Sequence, residues 1–497
     1  MATRRVPNIV IISSDQQRFD AMGCYGNDAI RTPALDALAD EGALFENCYS
    51  QSPMCSPSRA SLMTGLFPRN HGLWANGVAL PSNRRLLSRI LADTGYDCGL
   101  IGKFHLAPCA GGRTEPRGDD GFRMFEWAHD PTHTSPQNRY QQWLAEHHPD
   151  IYSEYRTTVD RQAWDSEAGN QARGALYLDT VRPEAHYSSW VANQAIEFIR
   201  ADERSSDQPF FLVANFFDPH HPFGAPPQYR GLYDATQLPR PIGGVTELAG
   251  KPEAQLSYSR SSYAGTSPGF QDYSSTELQE LIANYYGMVS LVDAQVARIL
   301  EALVDAGASE DTLVIYTSDH GEMLGDHGMV LKGPMMYECA VKVPLLMRWP
   351  AIVPPGTRID ALTQTIDLTS TVLHAAGLTQ AMPWVQGEDL VPLTRDPQAP
   401  ARNWALVEYR DAGFPEQPPI HTTMLRRGDH KLVLWHGTPA TDRKREGELY
   451  DLAADPNELH NLWDEPDAAS VRNELIADLV DVLAATEDRS QERTAAW

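Results

Sequence analysis

Asn8-Ile9-Val10-Ile11-Ile12-Ser13-Ser14-Asp15-Gln16 sets an unbroken run of aliphatic residues ahead of four polar ones near the start of the chain. A short continuous apolar run is the mark of a strand buried on both faces, as in a parallel sheet. The pattern recurs in Tyr96 to Ile101, Pro209 to Phe217, Thr312 to Ser318 and Val343 to Trp349. Helical patterns interleave these runs. Pro33 to Glu41 has a proline at its start and Gly42 just after its end, and Arg85 to Thr94 closes on Gly95. The longest helix is predicted from Thr276 to Ala306, with Ser274 and Glu277 spaced as a capping box. Leu278, Leu281, Ile282, Tyr285, Val289, Val292, Val296, Ile299 and Leu303 form one apolar stripe on it. The reading is α/β: a large mixed, mostly parallel sheet flanked by helices.

After Gly377 the composition turns toward proline and polar residues, followed by strand-like pieces at His421 to Leu425 and His430 to Trp435 and a terminal helix from Ala468 to Ala485. This predicts a main domain over 1–377 and a smaller C-terminal α+β subdomain over 378–497 containing an antiparallel sheet. The polar segments Ala110 to Arg182 and Gly224 to Gln271 read as loops around a site mouth. The 497 residues suffice for one large core with an appendage. With 41 basic and 66 acidic residues the formal charge is −25, which argues against nucleic-acid or anionic-membrane partners and requires a locally positive pocket for any anionic ligand. No secretion signal or membrane-spanning run is evident, so the cytoplasm is expected. The six cysteines show neither CxxC pairs nor a disulfide spacing.

Ligands of parallel sheets bind beyond the carboxyl ends of the strands, and each predicted strand ends in polar chemistry. The first delivers Asp15 and Gln16, the second Lys103 and His105, the third Asp218, His220 and His221, and the fourth Asp319 and His320. Acids with a histidine suit a hard or borderline divalent cation, which would in turn bind an anionic ester. Cys55 opens Cys55-Ser56-Pro57-Ser58-Arg59-Ala60-Ser61-Leu62-Met63-Thr64-Gly65, a proline-containing turn leading into a short helix that ends at glycine. The cysteine therefore sits where helix amides favour an anion.

That string resembles the sulfatase signature, C-x-P-S-R followed by T-G, in which the cysteine is oxidised to formylglycine. Gly102-Lys103-Phe104-His105-Leu106 is similar to the family's second signature, and Thr317-Ser318-Asp319-His320-Gly321-Glu322 to its metal-binding strand end. Lys332 lies in the K-G-x-x-x-Y-E setting with Tyr337 and Glu338, and Glu448 to Leu452 resembles the usual C-terminal strand. The resemblance spans Asn8 to about Leu462 and implies an alkaline phosphatase-like fold. It implies that Asp15, Asp319, His320 and the modified Cys55 hold one divalent ion, calcium or manganese, with Gln16 as a fourth protein contact or a neighbour of the ligands. A hydroxyl of the hydrated aldehyde would attack sulfur and the other would expel sulfate. Arg59 and Lys103 would position the nucleophile and neutralise charge, and His105 would take the proton of the elimination. Lys332 and His220 would bind sulfate oxygens and protonate the leaving group, and Asn76 would donate to the ester.

Gln16 and His320 stand where the commonest family pattern has Asp and Asn, a version similar to choline sulfatases and phosphonate monoester hydrolases. Phosphonate monoester or phosphodiester hydrolysis is therefore the alternative to sulfate-ester hydrolysis. A thiol enzyme or inactive binding protein with Cys55 unmodified is a third reading. The implied partners are a small-molecule sulfate ester, a formylglycine-generating enzyme during maturation, and further copies of the chain in a homo-oligomer. Trp127, Trp164, Trp384, His421 and Arg426 are candidate liners for the alcohol half of the substrate.

Overall fold

The computed structural model describes residues 6–154, 181–201, 204–205, 208–413, 419–437 and 445–488. Its strands are β1 (Asn8–Ser14), β2 (Ala43–Tyr49), β3 (Asp97–Gly102), β4 (Met124–Trp127), β5 (Phe210–Asn215), β6 (Ser261–Ser262), β7 (Ser267–Pro268), β8 (Thr312–Ser318), β9 (Lys342–Val343), β10 (Leu345–Arg348), β11 (Thr357–Gln364), β12 (Trp404–Arg410), β13 (His421–Arg427), β14 (His430–Trp435) and β15 (Glu446–Asp451). The main sheet runs β11-β2-β10-β8-β1-β5-β3-β4, with β9 on β2. Central β1 is parallel to both β5 and β8, and β3 is parallel to β5 and β4. Register aligns Ser14 with Ser318, and Ser13 and Gly102 each with Asn215, so the carboxyl ends of four strands open onto one edge.

The predicted bounds of β1 and β8 are matched, and those of β3 and β5 are met to within two residues. Alternate residues of β1 serve two cores. Ile9 and Ile11 pack with Phe45, Ala60, Leu87 and Ile315, whereas Val10 and Ile12 pack with Trp190, Val292, Val296 and Tyr316. Burial on both faces explains the unbroken apolar run. The second core is covered by the Tyr187–Ile199 helix and the Ser275–Asp305 helix, whose Ser274–Glu277 capping box is present and whose predicted stripe is buried throughout.

The run predicted as one strand at Val343 to Trp349 divides into β9 and β10, and β10 lies antiparallel between β8 and β2. Its apolar content reflects a central position, which carries no sign of direction. The chain returns from β8 through residues 319–344 with only a short 3-10 turn, Asp326–Gly328, and a four-residue helix, Glu338–Val341, and not through a long crossover to the opposite end, so the neighbour runs back. The loop-like segments also hold β4, the Arg139–His147 helix and the Glu253–Arg260 helix. In the C-terminal region, β12-β13-β14-β15 form an antiparallel sheet against which the Ala469–Ala485 helix packs through Leu475 and Leu479. No described helix is long and apolar enough to cross a membrane.

Candidate active site

The four strand ends and one helix converge on Cys55. This residue is the first of the Cys55–Thr64 helix, which stops at Gly65 in the left-handed region (φ 69°); a Cβ there would lie 2.6 Å from Val385 Cγ1. The helix start is held from outside. Ser56 N–H donates to Asn76 Oδ1 at 3.0 Å, and Ser58 Oγ donates to Asp319 O at 2.6 Å. Cys55 Sγ lies 3.1 Å from Lys332 Nζ, 3.2 Å from His320 Nε2 and 3.7 Å from Asp15 Oδ1.

Two buried carboxylates face this sulfur, bridged by one guanidinium. Arg59 donates through Nη2 to Asp15 Oδ2 at 3.0 Å and through Nε to Asp319 Oδ2 at 2.9 Å, and Lys103 Nζ lies 2.7 Å from Asp15 Oδ2. Burial opposes the charge on Asp15, but Lys103, Arg59 and Lys332 prevail and hold its carboxyl well below the usual range. Asp319 goes the other way: burial, reinforced by the neighbouring Asp15, raises it despite Arg59. Burial and Asp15 would raise the Cys55 thiol, yet Lys103 and Lys332 outweigh them and bring it down to about 5. The locally positive pocket required of an acidic chain is thus built from Arg59, Lys103 and Lys332.

Backbone geometry aims these groups. Gly102 turns at φ 89°, where a Cβ would lie 2.0 Å from Asn215 O, so only glycine lets β3 end this close to β5 and deliver Lys103. Gln16, His105 and Leu331, the residue before Lys332, all adopt left-handed φ (68°, 62° and 65°) without being glycine. Such conformations persist where surrounding contacts over-determine them. For Gln16 these contacts are its N–H to Asp319 Oδ1 (3.0 Å), Lys332 Nζ to its Oε1 (2.7 Å) and its Nε2–H to Glu322 Oε2. For His105 the N–H donates to Glu115 Oε2 at 2.8 Å.

His320 donates Nδ1–H to Gly321 O at 2.9 Å, which leaves the Nε2 lone pair facing inward. Asp15, Cys55, Asp319 and His320 each offer a ligand atom within 4.8 Å of the others. Two carboxylates and an imidazole whose outer nitrogen is tied to a carbonyl fit a divalent ion, and the amide oxygen of Gln16 accepts from Lys332 Nζ at their edge. His220 donates Nδ1–H to His221 O at 2.5 Å, with Nε2 3.9 Å from Asp15 Oδ1. Burial lowers His105 and His220 well below the ordinary imidazole range; Lys103 adds to this for His105 and His221 for His220. His105 Nδ1 is buried without a hydrogen-bond partner.

All the residues read from the sequence as catalytic or metal-binding therefore gather here, and Asn76 joins them through the helix start. The candidate liners among the described residues do not gather with them. Trp127 is buried with Nε1–H on Glu115 Oε2 (2.9 Å), Trp384 packs on the main core, and Arg426 donates to Asn47 Oδ1 (3.0 Å) and Tyr49 OH. His421 is exposed at the start of β13, and Trp164 lies outside the described residues. Two supporting acids escaped the sequence reading. Glu322 accepts from Gln16, Leu324 and Leu331, and Glu115 from the amides of His105, Leu106 and Ala107. Glu322 sits in a recognisable run after β8; Glu115 stands in a polar loop with no periodicity to mark it.

Residues 7–378 match the family described as Sulfatase, and residues 325–485 match that described as N-sulphoglucosamine sulphohydrolase, C-terminal. The chain is 30% identical over 480 residues to an uncharacterised sulfatase of Escherichia coli (strain K12), covering 96% of this chain and 87% of that protein. It is 30% identical over 471 residues to an arylsulfatase of Clostridium perfringens (strain 13 / Type A), covering 92% and 90%. Among solved structures, the phosphonate monoester hydrolase of Agrobacterium radiobacter is similar with a TM-score of 0.77 at 26% identity over 97% of each chain.

Proposed function

The chain belongs to the sulfatase family of hydrolases, with the alkaline phosphatase-like fold, and from that premise we propose that it hydrolyses sulfate esters with one divalent ion and a formylglycine made from Cys55. The observation that carries this reading is the position of Cys55 Sγ between Lys332 Nζ, His320 Nε2 and Asp15 Oδ1. A nucleophile made at that atom would already sit inside a metal-ligand set. Asp15, Asp319, His320 and Gln16 would hold calcium or manganese. Bound ion and hydrated aldehyde together would supply charge neutralisation at the ester oxygens, an attacking hydroxyl and a second hydroxyl whose deprotonation releases sulfate.

The chain's own residues do the rest. Arg59 fixes the two carboxylates relative to each other, and Lys103 balances Asp15. Neutral His105, with its unpartnered Nδ1, accepts the proton of the release step. Lys332 faces the ester oxygens. His220 starts neutral with Nε2 turned to the site, and an anionic ester placed there favours its protonated form, from which it gives the proton to the leaving oxygen. Asn76 holds the helix start that carries the nucleophile.

Phosphonate monoester or phosphodiester hydrolysis is the second reading. The likeness to the Agrobacterium hydrolase favours it, because both esters present a tetrahedral anion to the same cations. The test is mass spectrometry of the Cys55 peptide from protein co-produced with a formylglycine-generating enzyme, together with initial rates on matched aryl sulfate and phenylphosphonate esters. Aldehyde at Cys55 with preference for sulfate supports the proposal, and aldehyde with preference for phosphonate replaces it with the second reading. An unmodified thiol with full turnover overturns the formylglycine mechanism.

A further inference from the structure

We propose that His105, Cys109 and His129 form a second cation site, for a soft divalent ion of the zinc class, beside the reaction centre. β3 and β4 are adjacent and parallel, with Gly102 opposite Trp127, and the three side chains come from the loops that follow them. Each offers a ligand atom within 4.8 Å of the other two. Cys109 Sγ lies 3.1 Å from His129 Nδ1, and the His105 and His129 rings meet edge to face at 4.5 Å. A tetrahedral zinc ion, with bonds of about 2.3 Å to sulfur and 2.0–2.1 Å to nitrogen, needs donors roughly 3.3–3.7 Å apart. The Cys109–His129 pair already lies within about half an ångström of that spacing.

An independent observation points to a ligand. The His105 ring is buried and its Nδ1 has no hydrogen-bond partner, a costly state that an ion would relieve. The loop backbone that carries two of the ligands is also held in place. Glu115 clamps the amides of residues 105–107, and His133 Nε2–H donates to Cys109 O at 2.6 Å. Asp130 Oδ1 is used by Thr132, while its Oδ2 lies 4.0 Å from His129 Nε2.

The donor set separates this site from the first. Two imidazoles and a thiol, with no carboxylate, select a softer ion than Asp15 and Asp319 do. Burial keeps both imidazoles neutral, the form that ligates. Burial and Glu115 push the Cys109 thiol up, so binding must expel its proton: the S–H bond breaks, the sulfur–metal bond forms, and the proton passes to buffer. Affinity therefore rises with pH. While His105 is ligated it cannot accept a proton, so the ion would inhibit turnover. This last consequence rests on the role proposed for His105; the binding itself does not.

The test adds cobalt(II) alone to metal-free Cys55→Ala protein, whose first cluster has lost its sulfur. A thiolate-to-cobalt charge-transfer band, bleached by zinc, is expected there and expected to vanish on adding Cys109→Ser. His129→Gln should weaken cobalt binding about tenfold or more, and it provides the reading should Cys109→Ser misfold. Absence of the band in Cys55→Ala protein, or its persistence after Cys109→Ser, overturns the site. In protein with Cys55 intact, zinc should inhibit, and Cys109→Ser should raise the half-inhibiting zinc concentration about tenfold. If the protein proves inactive on sulfate esters, the cobalt band still decides the matter.

Discussion

At the scale of single residues, the site is a contest between burial and three cations. Cys55 shows the result most directly, because its thiol near 5 lies below the ordinary 9.0. In unconverted protein the thiolate thus contributes stability that is complete above about pH 9 and lost as pH falls through about 5. The far-ultraviolet thiolate absorbance, taken as the difference from Cys55→Ser, should disappear with a midpoint near 5; a midpoint near 9 would refute the electrostatic account. Lys332 touches Gln16, Cys55 and His320 at once. Lys332→Ala should lower turnover by about 10²- to 10³-fold with a native circular dichroism spectrum, and unchanged turnover would remove it from the site.

At the scale of elements, helix ends and strand ends do the positioning. Asp293, within the Ser275–Asp305 helix, accepts the N–H of Leu35 at 2.8 Å and of Ala34 at 3.3 Å at the start of the Pro33–Asp40 helix. Burial, aided by Asp36, outweighs those bonds and raises its carboxyl from 3.8 to about 7. A raised acid contributes stability that is complete below about pH 4 and lost as pH climbs through about 7. Asp293→Asn, which retains an acceptor oxygen, should flatten that decline, worth about 3 kcal/mol between pH 5 and pH 8, in urea unfolding compared at those two values. Elements of this kind were legible where one physical cause dominated. β1 and β8 each carry an unbroken apolar stretch because both faces are buried, and the capping box marked the long helix. β2 was not legible, because Glu46 and Asn47 interrupt its apolar run where the strand is only half-buried, and β11 mixes Arg358 and Asp360 among its buried positions. The site was legible through strand ends and local motifs, while Glu115 acts through loop backbone that leaves no pattern in the sequence.

At the scale of the whole molecule, the C-terminal sheet grips the loop that carries Lys332. Thr422 Oγ1 donates to Pro334 O at 2.9 Å, and Lys431, on β14, lies 3.1 Å from Glu338 and 2.7 Å from Glu458 with no exposed surface. Lys431→Met would leave two buried acids side by side and should cost about 3–5 kcal/mol in urea unfolding, with turnover per folded molecule little changed. An undiminished unfolding midpoint would show the pair to be solvated. The burial of Cys55 has a consequence in time. Its sulfur is enclosed by Lys332, which lies 277 residues further along the chain. At synthesis rates of about 5–20 residues per second, roughly a quarter of a minute to a minute passes between the emergence of the two. If Cys55 is converted to formylglycine as proposed, the converting enzyme works against that clock, and slowing or pausing translation between the two should raise the fraction of chains converted.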